Sequence, residues 1–243
     1  MSFSVWTAEN YEALSRQAAE RIMATLRLKP KMLLCAAGGS TPLKAYQLLA
    51  ANRVVERHKF DQLRLLKLDE WGGLELEDPG SCETQMRTYL IDPLGVEMSR
   101  YIGFNSNPAD PEVESARIRS RLAAEGPIDL CILGLGANGH IGMNEPAQNL
   151  QPAAHVARLT EQSLGHSMLS NAKKRPAYGL TLGMAEILAS REILLLVSGA
   201  NKRQPLERLL RREITTEFPA SFLWLHSNWT LGCDVAALPA IAG

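Results

Sequence analysis

The stretch that decides the fold is residues 128–146, IDLCILGLGANGHIGMNEP. Its first part, residues 128–133, is almost wholly apolar, which is typical of a strand buried on both faces of a parallel sheet. The remainder, residues 134–146, is rich in glycine and ends in proline, so it predicts a tight loop. Ligands of open parallel sheets bind beyond the carboxyl ends of the strands. The sequence therefore predicts a buried strand whose following loop belongs to a binding site.

Short apolar runs of the same kind recur along the chain and alternate with amphipathic stretches. The further runs predict strands at residues 31–37, 64–68, 192–198 and 222–225. The amphipathic stretches predict helices at residues 11–26, 41–51, 82–91, 112–125, 178–190 and 202–211. Apolar strands separated by helices indicate a parallel sheet covered on both faces. We therefore expect an α/β, Rossmann-like fold, with one doubly wound, mostly parallel sheet in a single domain over residues 1–243.

The composition places the chain among ordinary globular proteins. Of its 243 residues, 46% are apolar and 21% are charged, which is enough material for a core. The formal net charge is zero, so no overall basic field would attract nucleic acid or a membrane surface. No signal peptide is visible, and no apolar run approaches the roughly 20 residues that span a bilayer. We expect neither a nucleic-acid nor a membrane partner.

The cysteines point to a reducing compartment. They are widely spaced and form no CxxC pair, so neither a zinc cluster nor a disulfide framework is expected. The four positions are Cys35, Cys82, Cys131 and Cys233. Free cysteines inside apolar runs behave as small core residues and persist where thiols stay reduced. The sequence thus predicts a cytoplasmic protein.

Polar or glycine-rich residues follow each predicted strand. These segments are residues 38–41, 69–70, 134–145, 199–202 and 226–228. Because the carboxyl ends of parallel strands share one edge of the sheet, the fold would gather these segments around one site.

The segment Gly38, Gly39, Ser40 and Thr41 predicts an anion site. Its glycines let the backbone turn sharply and approach a ligand closely. Ser40 or Thr41 would cap the following helix, and the free N–H groups of a helix N-terminus suit phosphate. Lys202 follows another predicted strand and would reach the same phosphate as a point charge. The alternatives are an ordinary strand-to-helix turn and a solvated lysine.

Asp69 and Glu70 end an apolar run directly before Trp71. A carboxylate in that position is partly desolvated, which raises its pKa and makes it a better base. The pattern leaves two alternatives for Asp69, a catalytic base and the cap of a turn. Glu70 is a candidate contact of the substrate.

Residues 134–139 formally match the dinucleotide-binding pattern G-x-G-x-x-G. That pattern needs a helix to begin inside it, whereas Gly142 and Pro146 follow, and no acidic residue closes a second strand about 20 residues further on. The loop would instead display His140 and Glu145 as an acid/base pair, since a carboxylate fixes the tautomer of a histidine and raises its pKa. No zinc-ligand spacing accompanies this histidine. Three other histidines lie in polar surroundings and are expected at the surface: His58, His155 and His166.

Taken together, these segments resemble the glucosamine-6-phosphate deaminase family, also called glucosamine/galactosamine-6-phosphate isomerases. The matches run in family order over nearly the whole chain. They are GGSTP at 38–42, LDEW at 68–71, GLGANGHIGMNEP at 134–146, LTLG at 180–183 and SGANK ending at Lys202. The match at 134–146 is highly specific. The related 6-phosphogluconolactonases share the fold, but in that branch the histidine is not followed by the N-E-P ending.

The resemblance implies a reaction and a role for each candidate residue. Members of the family convert an amino-sugar 6-phosphate, a small-molecule partner, to a ketose 6-phosphate with release of ammonia, and they need no metal or organic cofactor. Asp69 would move a proton between C2 and C1, His140 would be the acid that opens the sugar ring, and Glu145 would be its partner carboxylate. Phosphate would be clamped by Gly38, Gly39, Ser40, Thr41 and Lys202. A homo-oligomer is left open.

Two positions depart from the family pattern. Some members have Asp two positions before the histidine, where this chain and other members have Asn. Asn138 cannot raise the pKa of His140 through charge, so Glu145 would do that alone. A basic residue that some deaminases use in their lid has no clear match near Leu169. Three basic residues lie nearby: Lys173, Lys174 and Arg175.

Two segments indicate the substrate epimer. SCET at 81–84 and PASFLWLHSN at 219–228 resemble the galactosamine-6-phosphate branch more than the glucosamine branch. The two sugars differ at the C4 hydroxyl, and discrimination needs a positioned hydrogen-bond partner. His226 is a candidate for that contact, with a structural histidine as the alternative. We expect galactosamine-6-phosphate as substrate; the alternatives are a glucosamine-6-phosphate deaminase, a 6-phosphogluconolactonase and a non-catalytic sugar-phosphate sensor.

Overall fold

The computed structural model describes residues 2–239, which form two sheets and the helices that pack on them. The strands are β1 (Ser2–Ala8), β2 (Leu33–Ala36), β3 (Arg64–Lys67), β4 (Asp69–Gly72), β5 (Tyr101–Ile102), β6 (Leu130–Gly134), β7 (His155–Ala157), β8 (Tyr178–Thr181), β9 (Ile193–Val197) and β10 (Asn228–Asp234). The α-helices are α1 (Tyr11–Leu28), α2 (Leu43–Val55), α3 (Cys82–Met86), α4 (Asp92–Leu94), α5 (Pro111–Glu125), α6 (Glu161–Leu164), α7 (Met184–Leu188) and α8 (Arg203–Leu210).

The larger sheet is parallel throughout and has the strand order β1-β10-β9-β6-β2-β3-β5. From β2 the chain builds outward to β3 and β5, then crosses to the other side of β2 and continues with β6, β9 and β10. The direction of building therefore reverses between β2 and β6. In such sheets a crevice opens beyond the carboxyl ends of the two strands at the reversal. The predicted parallel α/β sheet is confirmed.

Side chains of the central strands alternate between two cores because successive residues of a strand point to opposite faces. Leu33 and Cys35 pack in one buried cluster with α5 and α8. Leu34 and Ala36 pack in the other with α1 and α2. Helices thus cover both faces, as predicted. That residues 1–243 form a single domain stays a prediction, which the shared sheet supports.

The smaller sheet is antiparallel, in the order β4-β8-β7. Its strand β4 begins two residues after β3 ends and pairs Asp69 with Thr181. Trp71 packs beneath this sheet with Cys82 and Met143. The smaller sheet therefore carries the predicted base away from the main sheet and sets it beside the loop that follows β6.

The helix predictions are confirmed except for one. Residues 82–91 form α3 followed by a π-helical turn, Arg87–Ile91, which leads into α4. The predicted helix at 178–190 is wrong, because its first part is strand β8 and only α7 is helical. None of the helices within residues 2–239 has both the length and the apolar character that a bilayer crossing demands.

The strand predicted at residues 222–225 is also wrong. Those residues belong to a 3₁₀ helix, Pro219–Leu225, and the strand is β10, which follows it. A run of four apolar residues does not by itself distinguish a strand from a buried helical turn. Here Trp224 packs against aromatic rings of β10 and β1. Its ring centroid lies 4.9 Å from that of Trp229 and 4.7 Å from that of Phe3.

Candidate active site

A cavity of about 420 Å³ lies at the carboxyl ends of β2 and β6, where the building direction of the sheet reverses. This is the size of an ordinary small-molecule site. Four of the segments that the sequence predicted at the site contribute to its wall, and residues 162–168 supply the remaining side. The predicted residues that line the cavity are Gly38, Gly39, Ser40, Thr41, Asp69, His140 and Lys202.

Asp69 is a buried carboxylate that lacks strong hydrogen-bond donors. Its side chain faces the cavity while the residue is only 9% exposed. Within residues 2–239, its one hydrogen-bond partner is the Cys82 thiol, whose Sγ lies 4.0 Å from Oδ1. Burial and, to a smaller extent, the negative charge of Glu70 together raise the pKa of Asp69 to about 7, against the opposing charge of Lys67. A carboxylate with a pKa near neutrality is suited to accept a proton from carbon.

Glu70 points away from the cavity and is fully buried. Its Oε2 accepts from Lys67 Nζ at 2.6 Å and from the amide of Glu83 at 2.8 Å. Its Oε1 accepts from the amides of Trp71 and Cys82, both at 2.8 Å. The structure therefore gives Glu70 a structural position at the N-terminus of α3, and does not bring it to the substrate contact that the sequence suggested.

His140 is joined to Glu145 through the amide of Asn138. Its Nδ1 lies 2.8 Å from Asn138 Oδ1, which also accepts from the His140 backbone amide at 3.1 Å. Asn138 Nδ2 donates to Glu145 Oε2 at 2.7 Å, whereas His140 Nδ1 is 3.8 Å from the same oxygen. Glu145 thus acts on the imidazole through Asn138, which is the residue in direct contact with the ring.

This relay sets the protonation of the imidazole. Because Asn138 Oδ1 can only accept, Nδ1 carries the proton and Nε2 keeps a lone pair. Burial lowers the pKa of His140; Glu145 opposes the change, while Lys202 and His166 add to it. The ring is therefore neutral at pH 7, and Nε2 is able to take up a proton and return it.

Two glycines allow the close packing of the loop that carries His140. A Cβ on Gly136 would come within 2.4 Å of the His140 ring. Gly142 has a φ of +58°, and a Cβ there would meet Thr181 Oγ1 at 2.8 Å and Asp69 Oδ2 at 3.5 Å. Substitution of Gly136 would therefore displace the His140 ring, and substitution of Gly142 would push the loop away from β4 and β8. No helix begins in residues 134–146, which disagrees with the dinucleotide-binding alternative.

The opposite end of the cavity is formed by the turn after β2. Gly39 has a φ of +95° and is held by Gln85, whose Oε1 accepts from its amide at 2.8 Å while Nε2 donates to its carbonyl at 3.1 Å. The prediction that Ser40 or Thr41 caps α2 is wrong, because Pro42 is the cap residue and no side chain bonds the helix end. Both hydroxyls therefore lack a partner within residues 2–239 and are free to bind a ligand.

Lys202 reaches this end from the segment after β9. Its Nζ donates to the carbonyl of Leu135 at 2.6 Å, and burial lowers its pKa. An ammonium has three donors, so two remain available. Gly39, the free hydroxyls and this lysine form the arrangement expected of an anion site.

The residues on the remaining side were missed or misjudged in the sequence. His166, expected at the surface, is half-buried and lines the cavity. Ser163 donates to Glu145 Oε1 and ties the helix α6 to the His140 relay. Gln85 supports Gly39. No periodic pattern marks residues 158–177, so only the family-level expectation of a lid pointed there.

His226 does not line the cavity; it lies at the amino ends of the parallel strands, just before β10. It precedes β10 instead of following a strand, because residues 222–225 are helical. Its Nε2 lies 2.7 Å from the carbonyl of Ser190, and its Nδ1 accepts from the amide of Asn228 at 3.1 Å. The structure therefore does not bring His226 to the other candidates, and its contacts are those of the structural alternative. Within residues 2–239, no group of three or more acidic, histidine or cysteine side chains is placed to hold a metal ion.

Comparison with known proteins gives consistent matches over nearly the whole chain. The chain is 43% identical over 221 residues to "Putative deaminase AgaI" of Escherichia coli (strain K12), with 91% of this chain and 88% of that protein covered. It is 35% identical over 232 residues to glucosamine-6-phosphate deaminase 1 of Bacillus subtilis (strain 168), with 95% and 96% covered.

Solved structures agree. One described as a monomeric glucosamine-6-phosphate deaminase superposes with a TM-score of 0.91 at 35% identity, over 96% of this chain and 98% of that chain. The 6-phosphogluconolactonase of Leishmania guyanensis has a TM-score of 0.80 at 18% identity over the full length of both chains, a likeness that shows the fold alone. The sequence model of one family matches residues 6–231, which include every predicted site residue. The chain therefore belongs to the family of glucosamine-6-phosphate isomerases and 6-phosphogluconolactonases.

Proposed function

We propose that this protein is a deaminating aldose–ketose isomerase, which converts a hexosamine 6-phosphate and water to a ketose 6-phosphate and ammonia. The observation that carries the proposal is the pairing of Asp69, whose pKa is raised to about 7, with the neutral imidazole of His140 in one cavity. An acid/base pair beside an anion site suits a phosphorylated sugar. A binding protein without catalysis would not need the pair.

The proposed sequence begins with ring opening. Nε2 of His140 takes the proton of the anomeric hydroxyl and delivers it to the ring oxygen, which frees the C1 aldehyde. Asn138 holds the opposite nitrogen protonated, so the ring returns to its starting tautomer. The Glu145 charge, one amide away, stabilises the imidazolium while it carries the extra proton.

Asp69 would then move a proton between carbons. Its carboxylate takes the proton of C2 while the C1 oxygen takes a proton from the substrate's C2 ammonium group, which gives an enolamine. Asp69 then delivers its proton to C1, which leaves a C=N bond at C2. Water adds to that carbon and ammonia departs, so the ketose forms without a redox change. Proton transfer by a positioned group of matched pKa contributes about 10²- to 10⁴-fold to rate.

For the substrate we propose galactosamine-6-phosphate in preference to glucosamine-6-phosphate. The proposal is supported by the resemblance of residues 81–84 to the galactosamine branch, and Cys82 of that segment lines the cavity. None of residues 219–228 lines the cavity, so that segment does not add to the support for the substrate. A cytoplasmic location is proposed with it, supported by four cysteines that are all free and buried.

The test is ammonia release from both epimers, measured with a chelator present and no NAD added. We expect release from both, with the higher kcat/KM for galactosamine-6-phosphate. Equal efficiency on the two epimers would remove the epimer preference. Hydrolysis of 6-phosphogluconolactone without ammonia release from either sugar would replace the proposed reaction by lactonase activity.

A further inference from the structure

The segment between β7 and β8 closes one side of the cavity; we call residues 158–177 the lid. It contains α6 and a 3₁₀ helix, Ser167–Asn171. Its basic residues near the second helix do not line the cavity. Lys174 lies 3.4 Å from Glu75, and Arg175 pairs with Glu161. Among lid residues that do line it, within the described part of the chain, only His166 is able to carry a positive charge.

The imidazole of His166 is held in a defined tautomer and direction. Its Nδ1 accepts from the amide of Met168 at 3.2 Å, so the proton of the neutral ring lies on Nε2. Cε1 and Nε2 lie 3.8 and 3.9 Å from the position that a Cβ on Gly39 would occupy. The ring centroid is 6.1 Å from that of Trp71. Within residues 2–239, Nε2 has no hydrogen-bond partner.

The charges around this ring favour an anion. Lys202 faces it from the segment after β9, and His140 from the loop after β6, while Asp69 on β4 is the acidic residue among those that line the cavity. Burial and the Lys202 charge lower the pKa of His166. The neutral ring still donates through Nε2, and a dianion beside His166 and Lys202 would offset the Lys202 charge that lowers the pKa of His166.

We propose that the Nε2–H of His166 donates a hydrogen bond to the phosphate of the substrate. His166 thereby supplies the lid side of an anion site whose other side is formed by Gly39, Ser40, Thr41 and Lys202. The proposal rests on the proposed function, since it assigns a residue to the phosphate of that substrate. It assigns a phosphate-binding residue to the lid, where the family resemblance identified none. A hydrogen bond to a charged group accounts for about a 10- to 100-fold change in affinity.

The test compares two variants that separate a donor from a packing group. His166→Phe keeps a ring beside Trp71 and loses the donor, whereas His166→Gln loses the ring and keeps an N–H. His58→Phe, at an exposed histidine, is the matched control. Sulfate is the probe, because it mimics the phosphate dianion and its double negative charge does not change over the working pH range. Its affinity is measured by calorimetry, and the imidazole resonances of His166 are followed by NMR.

We expect His166→Phe to weaken sulfate binding about 10-fold or more, His166→Gln to weaken it less than 3-fold, and His58→Phe to leave it unchanged. In the wild type, sulfate should shift the His166 resonances, and KM for the sugar phosphate should rise with the Phe variant while kcat changes little. The proposal is overturned if sulfate saturates the protein without moving those resonances, or if Gln weakens binding and Phe does not. Sulfate binding with this pattern but no ammonia release would reject the proposed function and leave the anion site standing.

Discussion

Two adjacent carboxylates on β4 show how the same burial produces opposite outcomes. Glu70 accepts hydrogen bonds from one ammonium and three amides behind the strand. Asp69, one residue earlier, faces the cavity, and its hydrogen-bond partner in the described part of the chain is only the Cys82 thiol, at 4.0 Å. Alternation along a strand sends neighbouring side chains to opposite faces, so one backbone segment supplies both environments.

The difference teaches what makes a buried carboxylate reactive. Donors that satisfy a buried charge turn it into a structural anchor, and Glu70 fixes α3 in this way. Burial without donors penalises the charged form, and the pKa of Asp69 rises to about 7. Glu70 contributes to that rise through its charge, so the anchor also tunes the base.

Asp69→Asn should break the reactive half of the comparison. The amide keeps the shape but cannot accept a proton from carbon, so kcat for ammonia release should fall about 10²- to 10⁴-fold. Full activity in a steady-state ammonia assay would show that Asp69 is not the base.

The same variant has an opposite effect on stability. The raised pKa means that the folded protein holds a proton which the unfolded chain, with a pKa of about 3.9, loses. Stability of the wild type should therefore fall as pH rises from about 4 to 7, and the Asn variant should lack this loss. At pH 8 we expect the variant to unfold at the higher denaturant concentration, and at pH 5 we expect a smaller difference in its favour.

Glu70→Gln should break the structural half. It leaves Lys67 buried with Glu83 as its remaining carboxylate, and we expect the free energy of unfolding to fall by about 3 kcal/mol. Glu207→Gln, which loses an exposed ion pair with Arg211, is the control and should cost less than about 1 kcal/mol. Equal midpoints for the two variants in urea would contradict the anchoring by Glu70.

Asn138→Leu extends the comparison to the histidine. The side chain is similar in size but offers neither the acceptor for His140 nor the donor for Glu145, so the imidazole loses its fixed tautomer. We expect kcat to fall about 10²-fold, whereas Glu145→Gln, which removes the charge and one acceptor oxygen but keeps an acceptor for Asn138, should cost less. The pKa of His140, followed by NMR in the Gln variant, should fall, because Glu145 opposes its lowering.

Ser163→Ala should have the smallest effect. It removes the hydrogen bond from α6 to Glu145 but leaves Asn138 bonded to the same carboxylate. We expect KM to rise roughly 3-fold, with kcat nearly unchanged, since one hydrogen bond is worth about 0.5–1.5 kcal/mol. A loss of kcat as large as that of Asn138→Leu would place Ser163 inside the relay.

Four strands of the parallel sheet, β2, β3, β6 and β9, could be predicted because each coincides with a short apolar run, whereas β1, β5 and β10 were not predicted. The loop after β6 was also predictable, because its glycines and Pro146 exclude a helix. Residues 222–225 were mispredicted because their side chains pack as a 3₁₀ helix, which apolar content alone does not reveal. Because of this error, the sequence analysis placed His226 after a strand, whereas in the structure it precedes β10.

The site was predictable where residues follow buried strands, and not where the lid supplies them. Asp69, His140 and Lys202 lie in the segments that follow β3, β6 and β9 of the main sheet, whose carboxyl ends share one side of the sheet. His166 lies in a segment without periodicity, and its position depends on how the lid folds back over Gly39. The contact of Asn138 with both His140 and Glu145 depends on loop geometry that composition does not specify.

The central claim is that Asp69 is a base held near neutrality, and an infrared difference titration of its carboxyl group tests it most directly. The spectrum of Asp69→Asn is subtracted from that of the wild type at each pH, in the absence of substrate. The account predicts a protonated carboxyl band that disappears with a midpoint of about pH 7. A midpoint near 4, the ordinary value for aspartate, would contradict it.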